Sequence, residues 1–341
     1  MAPAAPSGTT LAVVLNFNGG TDTTTSVEHL AKQRPSPPDV LVVDNASSDT
    51  SLAHLAESRL PCRVLKLGEN RGFAGGMNAG LEEARAGGYR YVWLVNNDAF
   101  THPDSLALLV AAMDHDPRLA MVTPRLFWKD GTEQHAGGVV LDWDTGESRL
   151  VLSGDLSIDG PQPLADGTWV SGTAPLIRTT VLDSVGLLEA AYFAYWEDAD
   201  LSVRMARAGW GIGAVPEAEA VHLGGGTSGG SESPFAVFLE VRNRWLFLER
   251  HAKGGSPRAR WYRFYAAMLQ RTGRSMAIGR PAVATAVLAG LSAARTGAYA
   301  VPKPKALLLE RLCGRAPWRI SRLLTAAATM LDDRSDRGAA A

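Results

Sequence analysis

Three apolar runs in this chain stop abruptly at polar residues capable of chemistry. Leu11 to Leu15 ends at Asn16 and Asn18, Val40 to Val43 at Asp44 and Asn45, and Tyr91 to Val95 at Asn96, Asn97 and Asp98. Short continuous apolar runs read as buried strands, and ligands of open α/β sheets collect beyond the carboxyl ends of strands. A carboxylate delivered there can hold a divalent cation, and the cation a diphosphate. Asp44 suits a ribose hydroxyl or a base edge, because an ionised carboxylate only accepts hydrogen bonds. Each cluster also has an ordinary reading, since Asn and Asp form turns and cap helices.

Other segments carry similar double readings. Glu69-Asn70-Arg71-Gly72-Phe73-Ala74-Gly75-Gly76 is no GxGxxG fingerprint, but its glycines let backbone approach a ligand and Arg71 offers phosphate a rigid fork of donors. Trp196-Glu197-Asp198-Ala199-Asp200 opens a helix, where the dipole favours acidic residues anyway. A carboxylate of this segment can also take a proton from an attacking hydroxyl, with Trp196 and Trp169 as stacking faces for sugar rings. His222 precedes the Gly-rich run Gly224 to Gly230. It is either a structural imidazole or the completion of a cation site begun by Asp98.

The elements that must position these residues alternate. Helical spacing over Thr21 to Gln33, a helix through Leu60, a strand over Cys62 to Leu67, a Gly-rich turn over Gly68 to Gly76 and a helix over Met77 to Ala86 separate the apolar runs. That rhythm predicts a mostly parallel sheet with helices on both faces. Beyond Asp98 the pattern gives a helix over His102 to His115, a strand over Leu119 to Thr123, and irregular β structure over 125–172, with one of its turns at Ser153-Gly154. A short helix follows by Val185, then a helix over Asp198 to Ala208 with Gly209 at its C-cap. From Pro234 the chain is helical and rich in Arg. The expected domains are residues 1–253, and an amphipathic helical region over 254–341 with a disordered tail after Asp332.

The chain has 341 residues, 46% of them hydrophobic, and a formal net charge of −1. That is enough for a core, and nothing in the overall charge points to nucleic acid. Cys62 and Cys313, far apart, offer neither a disulfide framework nor a thiolate zinc site, which favours a reducing cytoplasm. Met1 to Thr10 lacks the features of a signal peptide, and Pro281 to Val301 is too polar for a membrane span.

In order along the chain, Asn16-Phe17-Asn18, Asp44-Asn45, Asn70 to Asn78, Asn96-Asn97-Asp98, Ser171-Gly172-Thr173, Trp196-Glu197-Asp198, His222 and Arg242-Asn243 resemble the family-2 inverting glycosyltransferases of GT-A fold, in particular the rhamnosyltransferase-like branch. The resemblance covers about residues 10–250. It implies that Asn16, Asn18, Asp44 and Asn45 face the nucleoside, and that Asn70, Arg71, Gly72, Phe73 and Asn78 line the same pocket. It makes Asp98 the Mg2+ or Mn2+ ligand, with His222 on the same side and Asn96 and Asn97 orienting the donor. Asp198 takes the position of the catalytic base, with Glu197, Trp196, Trp169, Ser171 and Gly172 around the substrates and Arg242 facing the diphosphate. Gly186-Leu187-Leu188-Glu189 departs from the family's Gly-Phe-Asp-Glu in the acceptor loop.

The implied donor is a nucleoside-diphosphate sugar, dTDP-rhamnose-like or a UDP-hexose. The implied acceptor is a lipid-linked cell-wall glycan or a small natural product. Two other classes compete. An NAD-dependent oxidoreductase would explain Asp44 but lacks GxGxxG after Leu15, and a non-catalytic nucleotide-sugar-binding protein would keep the fold without using Asp198. The Arg-rich C-terminal helices, with Trp261, Tyr262, Phe264 and Trp318, suit peripheral docking on an anionic membrane face, or packing on the catalytic domain or a homodimer partner.

Overall fold

The computed structural model describes residues 9–153, 162–163, 168–224 and 233–297. Its contacts form two compact units, residues 1–140 with 149–227, and 141–148 with 228–341. The division thus falls near residue 228 rather than at the expected 253.

The first unit opens with β1 (Thr10–Asn16), α1 (Asp22–Ala31), β2 (Asp39–Asp44), α2 (Ser51–Ser58), β3 (Arg63–Lys66), α3 (Gly72–Ala86) and β4 (Tyr91–Asn96). These four strands pair in parallel, in the order β3-β2-β1-β4. Because successive strand side chains alternate between faces, each strand feeds two cores. Leu11, Val13, Leu41 and Val43 pack with Met77, Leu81 and Ala84 of α3. Ala12, Val14, Val40 and Val42 pack with Val27 and Leu30 of α1 and Leu55 of α2.

The chain continues through β5 (Ala99–Thr101), α4 (Ser105–His115), β6 (Leu119–Phe127), β7 (Glu133–His135), β8 (Val139–Leu141), β9 (Ser148–Leu150), β10 (Gln162–Pro163), β11 (Thr168–Trp169), β12 (Leu176–Arg178), α5 (Leu182–Val185), α6 (Glu197–Arg207) and β13 (Gly211–His222). The main sheet runs β10-β13-β6-β12-β4-β1-β2-β3, and β11-β8-β9 form a second, small sheet. The main sheet is parallel through its first four strands and mixed beyond them. β12 lies antiparallel to both β4 and β6, and a three-residue strand carries no directional signal in sequence. The strand expected to end at Thr123 extends to Phe127 because β13 pairs alongside it. Ser153 is described, and Gly154, its expected turn partner, lies outside the described residues.

α3 begins at Gly72, earlier than expected, and two of its glycines serve packing rather than ligand approach. A Cβ on Gly76 would lie 2.4 Å from Leu15 Cδ1, and one on Gly80 2.3 Å from Val13 Cγ1. The helix can therefore lie directly on β1 and bring its N-terminus to the strand ends.

The second unit contains α7 (Pro234–His251), α8 (Pro257–Ala277) and α9 (Pro281–Thr296). Ser233 and Ser256 cap the first two through Ala236 N–H and Ala259 N–H, each with Pro following, as helix starts favour. Glu240 of α7 is bridged by Arg244 and by Arg271 of α8. Gly290 of α9 sits where a Cβ would fall 2.9 Å from Phe238 O. Among the described residues no helix is long and apolar enough to cross a membrane. Cys313, Trp318, the tail after Asp332 and most of the Gly224 to Ser233 loop lie outside the described residues.

Candidate functional site

The carboxyl ends of β1, β2 and β4 lie side by side, as parallel pairing requires: Asn16 is in register with Asp44, and Leu15 with Asn96. Asn16 is fully buried. Its amide nitrogen donates to Asp44 Oδ1 at 2.8 Å and to Ser51 Oγ at 2.9 Å, and lies 3.1 Å from Ser47 Oγ. Its oxygen accepts from Thr23 Oγ1 and Gly19 N–H. Asn45, also buried, donates to Asn70 Oδ1 and Gly72 O and accepts from Arg71 N–H. Asn16 is consumed in holding the strand ends together, and Asn45, only 1% exposed, spends both donors and one acceptor position on the Asn70 to Gly72 turn. The expectation that they contact the nucleoside directly is corrected accordingly. Asp44 keeps Oδ2 without a protein partner among the described residues. Asn18, in the left-handed conformation at φ 51°, accepts from Ser48 N–H at the exposed rim.

The β4 end lies against the turn after β1. A Cβ on Gly19 would fall 2.2 Å from Asn97 Nδ2 and 2.4 Å from Thr23 Oγ1, so only glycine allows this approach. Asn96 N–H donates to Thr173 O, and the Asn96 side-chain oxygen is buried without a partner. Asp98 Oδ1 lies 3.4 Å from His222 Nε2, where β13 runs antiparallel to β5 with His222 opposite Ala99. His222 Nδ1 lies 3.1 Å from Gln134 Oε1. An amide oxygen only accepts, so that contact requires the proton on Nδ1, and a neutral His222 then turns its Nε2 lone pair toward the Asp98 carboxylate. Trp128 stacks on the ring.

This donor set fits a divalent cation. Two electron-rich atoms face each other at a separation matching two ligands each about 2.1 Å from one ion. Asp22 reports the negative field, its carboxyl raised by burial and then by the charge of Asp98. Among the described residues no group of three or more His, Cys, Asp or Glu side chains is arranged to hold a metal. The remaining positions would therefore go to diphosphate oxygens and water, which suits an ion recruited together with a phosphate ligand.

Asp198 lies in the first turn of α6. Its Oδ2 accepts from Gly172 N–H at 2.9 Å and its Oδ1 from Ala199 N–H at 2.8 Å. A Cβ on Gly172 would lie 3.4 Å from the Phe73 ring and 3.5 Å from Asp198 Cβ, so a single glycine separates α3's first turn from Asp198. Burial pushes the Asp198 carboxyl above its ordinary range, against the lowering effect of those N–H groups. Burial, then the charge of Asp198, push Glu197 much higher. Glu197 Oε2 is buried without a hydrogen-bond partner. In this pair Glu197 holds its proton while Asp198, served by two N–H donors, ionises.

The loop preceding α6 is tightly held. Asn78 donates to Leu188 O and accepts from Leu188 N–H. Arg204 reaches Asp200 at 2.7 Å, Leu187 O at 2.7 Å, and also Val185 O. Asn78, expected to line the donor pocket, instead pins the segment in which this chain departs from the family's pattern. Two further expectations are corrected. Trp169 and Trp196 are buried and pack on each other, ring centroids 5.4 Å apart, so each covers a face that was to stack on sugar. Arg242 is fully buried inside α7, its Nε donating to Asn243 Oδ1 and its guanidinium over the Phe238 ring. With no exposed surface, its side chain presents nothing to a diphosphate. Arg71, by contrast, keeps 51% of its side chain exposed, and Ser171 Oγ pairs with Thr173 Oγ1 beside Gly172.

The sequence reading missed Thr23, Ser51, Gln134 and Phe193. Thr23 and Ser51 stand just after the strand-end turns, where a polar residue facing Asn16 was a readable signal. Gln134 and Phe193 carried none.

Two family models match the chain: glycosyl transferase family 2 over residues 12–150, and glycosyl transferase family group 2 over residues 91–300. An N-acetylglucosaminyl-diphospho-decaprenol L-rhamnosyltransferase of Mycobacterium tuberculosis is 28% identical over 253 residues, covering 68% of this chain and 81% of its own. Galactofuranosyltransferase GlfT1 of Mycolicibacterium smegmatis is 27% identical, covering 58% of this chain and 65% of its own. The fold is similar to that of GalNAc-T7 solved with UDP, GalNAc and Mn2+ (TM-score 0.57, 14% identity), over 87% of this chain and 59% of that longer one. It is also similar to that of a Pyrobaculum calidifontis mannosyltransferase with GDP-Man and Mn2+ (TM-score 0.51, 17% identity), over 97% and 86%.

Proposed function

Because the chain belongs to the family-2 glycosyltransferases and is a hexosyltransferase using nucleotide sugars, we propose that it is an inverting enzyme with Asp198 as base. The observation that carries this is the pair of N–H groups fixing Asp198 beside Gly172 and Phe73. A carboxylate so held, with burial raising it above the ordinary range of an Asp, is a stronger base than a free carboxylate and is positioned to receive a proton.

Asp198 removes the proton of an acceptor hydroxyl as that oxygen bonds to the anomeric carbon. The bond from this carbon to the diphosphate breaks on the opposite face, so the configuration inverts and no covalent enzyme intermediate forms. Asp44 Oδ2 receives a donor group of the nucleoside, with Asn18 at the rim. Arg71 meets the diphosphate, where its fork of donors complements developing charge. Asp98 and His222 would hold Mg2+ or Mn2+, which when bound neutralises the departing nucleoside diphosphate. Family membership removes the oxidoreductase reading, and the anchored base speaks against a protein that only binds.

The donor is proposed as a dTDP-rhamnose-like or UDP-linked hexose and the acceptor as a hydroxyl of a lipid-linked glycan. The name of the mycobacterial rhamnosyltransferase supports rhamnose as the sugar and a lipid-linked acceptor, and the nucleotide is proposed from the family resemblance. The test is a panel of nucleotide sugars with Mn2+, read first by protection against thermal unfolding. The protecting donor is then incubated with polyprenyl-diphospho-GlcNAc and with small hydroxylated acceptors, and the product's anomeric configuration is read by NMR. A retained configuration, or donor hydrolysis with no acceptor glycosylated, would refute the proposal.

A further inference from the structure

The formal charge of −1 conceals a sharp division. Residues 1–227 carry 15 Arg and Lys against 28 Asp and Glu, whereas residues 228–341 carry 19 against 7. Between Pro234 and Thr296 the chain carries eleven basic residues and only two acidic ones, Glu240 and Glu249; Glu240 is engaged by Arg244 and Arg271, and Arg263 by Asp144. Exposed cations are spread along the helices and their connections at Arg250, Lys253, Arg258, Arg274, Arg280 and Arg295.

A second observation singles out one place among them. The corner joining α8 to α9 carries Ile278, which at 67% is the most exposed large hydrophobic side chain among the described residues. Ala277, Gly279, Pro281 and Ala282 around it are also exposed, and Arg274 and Arg280 flank it. Gly279 at φ 74° makes the tight turn that pushes the corner outward.

We propose that this corner docks on an anionic lipid membrane, with Ile278 entering the headgroup region and Arg274 and Arg280 meeting lipid phosphates. An apolar tip ringed by cations matches a surface that is apolar just beneath a negative layer. A nucleic acid would be served by the cations but gains nothing from an aliphatic tip, since its stacking partners are aromatic or guanidinium faces. Each basic residue near such a surface strengthens binding by roughly fivefold, so the unit as a whole supplies a usable attraction. The inference stands apart from the acceptor assignment, because binding is read without any sugar present. If the acceptor is lipid-linked, docking also raises its local concentration.

The test is co-sedimentation of the full chain with vesicles of phosphatidylglycerol and phosphatidylcholine in equal parts, compared with phosphatidylcholine alone. Binding to the mixed vesicles only, weakened at least about tenfold by Ile278→Glu and again by Arg274→Glu with Arg280→Glu, is the expected result. Nucleotide-sugar protection against unfolding should be unchanged in both variants, which shows that they fold. Equal binding to both vesicle types, no binding, or binding indifferent to the substitutions would overturn the proposal. So would single-stranded DNA binding that the substitutions abolish while vesicle binding persists.

Discussion

Phe193 and Gly72 touch so closely that a Cβ at residue 72 would fall 2.3 Å from the Phe193 carbonyl oxygen and 2.6 Å from its ring. The same carbonyl accepts from Ala74 N–H at 3.0 Å. Three residues of this stretch, Phe193, Tyr195 and Trp196, hold φ angles of 65°, 69° and 77°. For residues with side chains such backbone costs about 1–3 kcal/mol each and persists only where neighbours over-determine it. Here the over-determination comes from Gly72, from Asn78 on Leu188 and from Arg204 on Leu187, and the strained turn ends two residues before Asp198. Gly72→Ala should therefore lower kcat more than about tenfold while donor affinity by calorimetry changes far less. A matched loss of affinity would instead mean that Gly72 meets the donor.

Asp198→Asn keeps the shape, although its amide can satisfy only one of the two N–H donors that now serve the carboxylate. It should reduce kcat by about 10²- to 10⁴-fold, the usual contribution of a general base, with donor protection against unfolding retained. Normal transfer by this variant would remove Asp198 from the mechanism.

The pH behaviour follows from the directions of two shifts. Asp198 is raised above its ordinary value of 3.8, and a base works only when ionised. Thus kcat should fall as pH drops through that raised value, giving an acid limb above the range of a free Asp. Glu197 is raised well above 4.5, which means that the folded state favours its protonated form. Its contribution to stability is complete below 4.5 and is lost as pH rises through the folded value. Glu197→Gln, which mimics the protonated carboxyl, should flatten that decline in denaturant titrations across the same window.

Metal dependence should follow Asp98 and His222 and not Asp198. Asp98→Ala is expected to abolish Mn2+-enhanced donor binding. Gln134→Ala, which leaves both ligands in place but frees the imidazole ring, should weaken the apparent Mn2+ affinity by about 10- to 100-fold. Titration of Mn2+ by its electron paramagnetic resonance signal, with UDP or dTDP present, measures both.

Asn16→Ala should destabilise the protein by about 2–4 kcal/mol, because it strands Asp44, Thr23 and Ser51 without their shared buried partner. Urea unfolding at neutral pH gives the value, and Asn18→Ala at the exposed rim should cost under about 1 kcal/mol in the same assay.

How much of this was legible in the sequence depends on the range of the interaction. The apolar runs ending at Asn16, Asp44 and Asp98 marked the parallel strands and their shared edge, because burial and strand polarity are written locally. The pairing of Asp98 with His222 was readable only from the ordered series of motifs, since 124 positions separate them. Trp169 and Trp196 were misread because an aromatic next to a catalytic carboxylate looks the same in sequence whether it faces substrate or another ring. Arg242 failed for a related reason: nothing local distinguishes a guanidinium aimed at a phosphate from one buried over Phe238. The direction of β12 and the Phe193 turn were set wholly by tertiary contacts.

The wiring of Asn16 and Asn45 has a consequence for how this pocket can change. Asn16 has all its hydrogen-bonding capacity committed to protein, and buried Asn45 spends both its donors and one acceptor position on the Asn70 to Gly72 turn, so they form a fixed chassis that drift at the nucleotide edge cannot rewrite one residue at a time. Variation in nucleotide preference is left to Asp44 Oδ2 and to Asn18 on the rim, since the diphosphate that Arg71 meets is common to all such donors. A library aimed at exchanging one nucleotide for another should therefore be built around those two positions, with the chassis held constant.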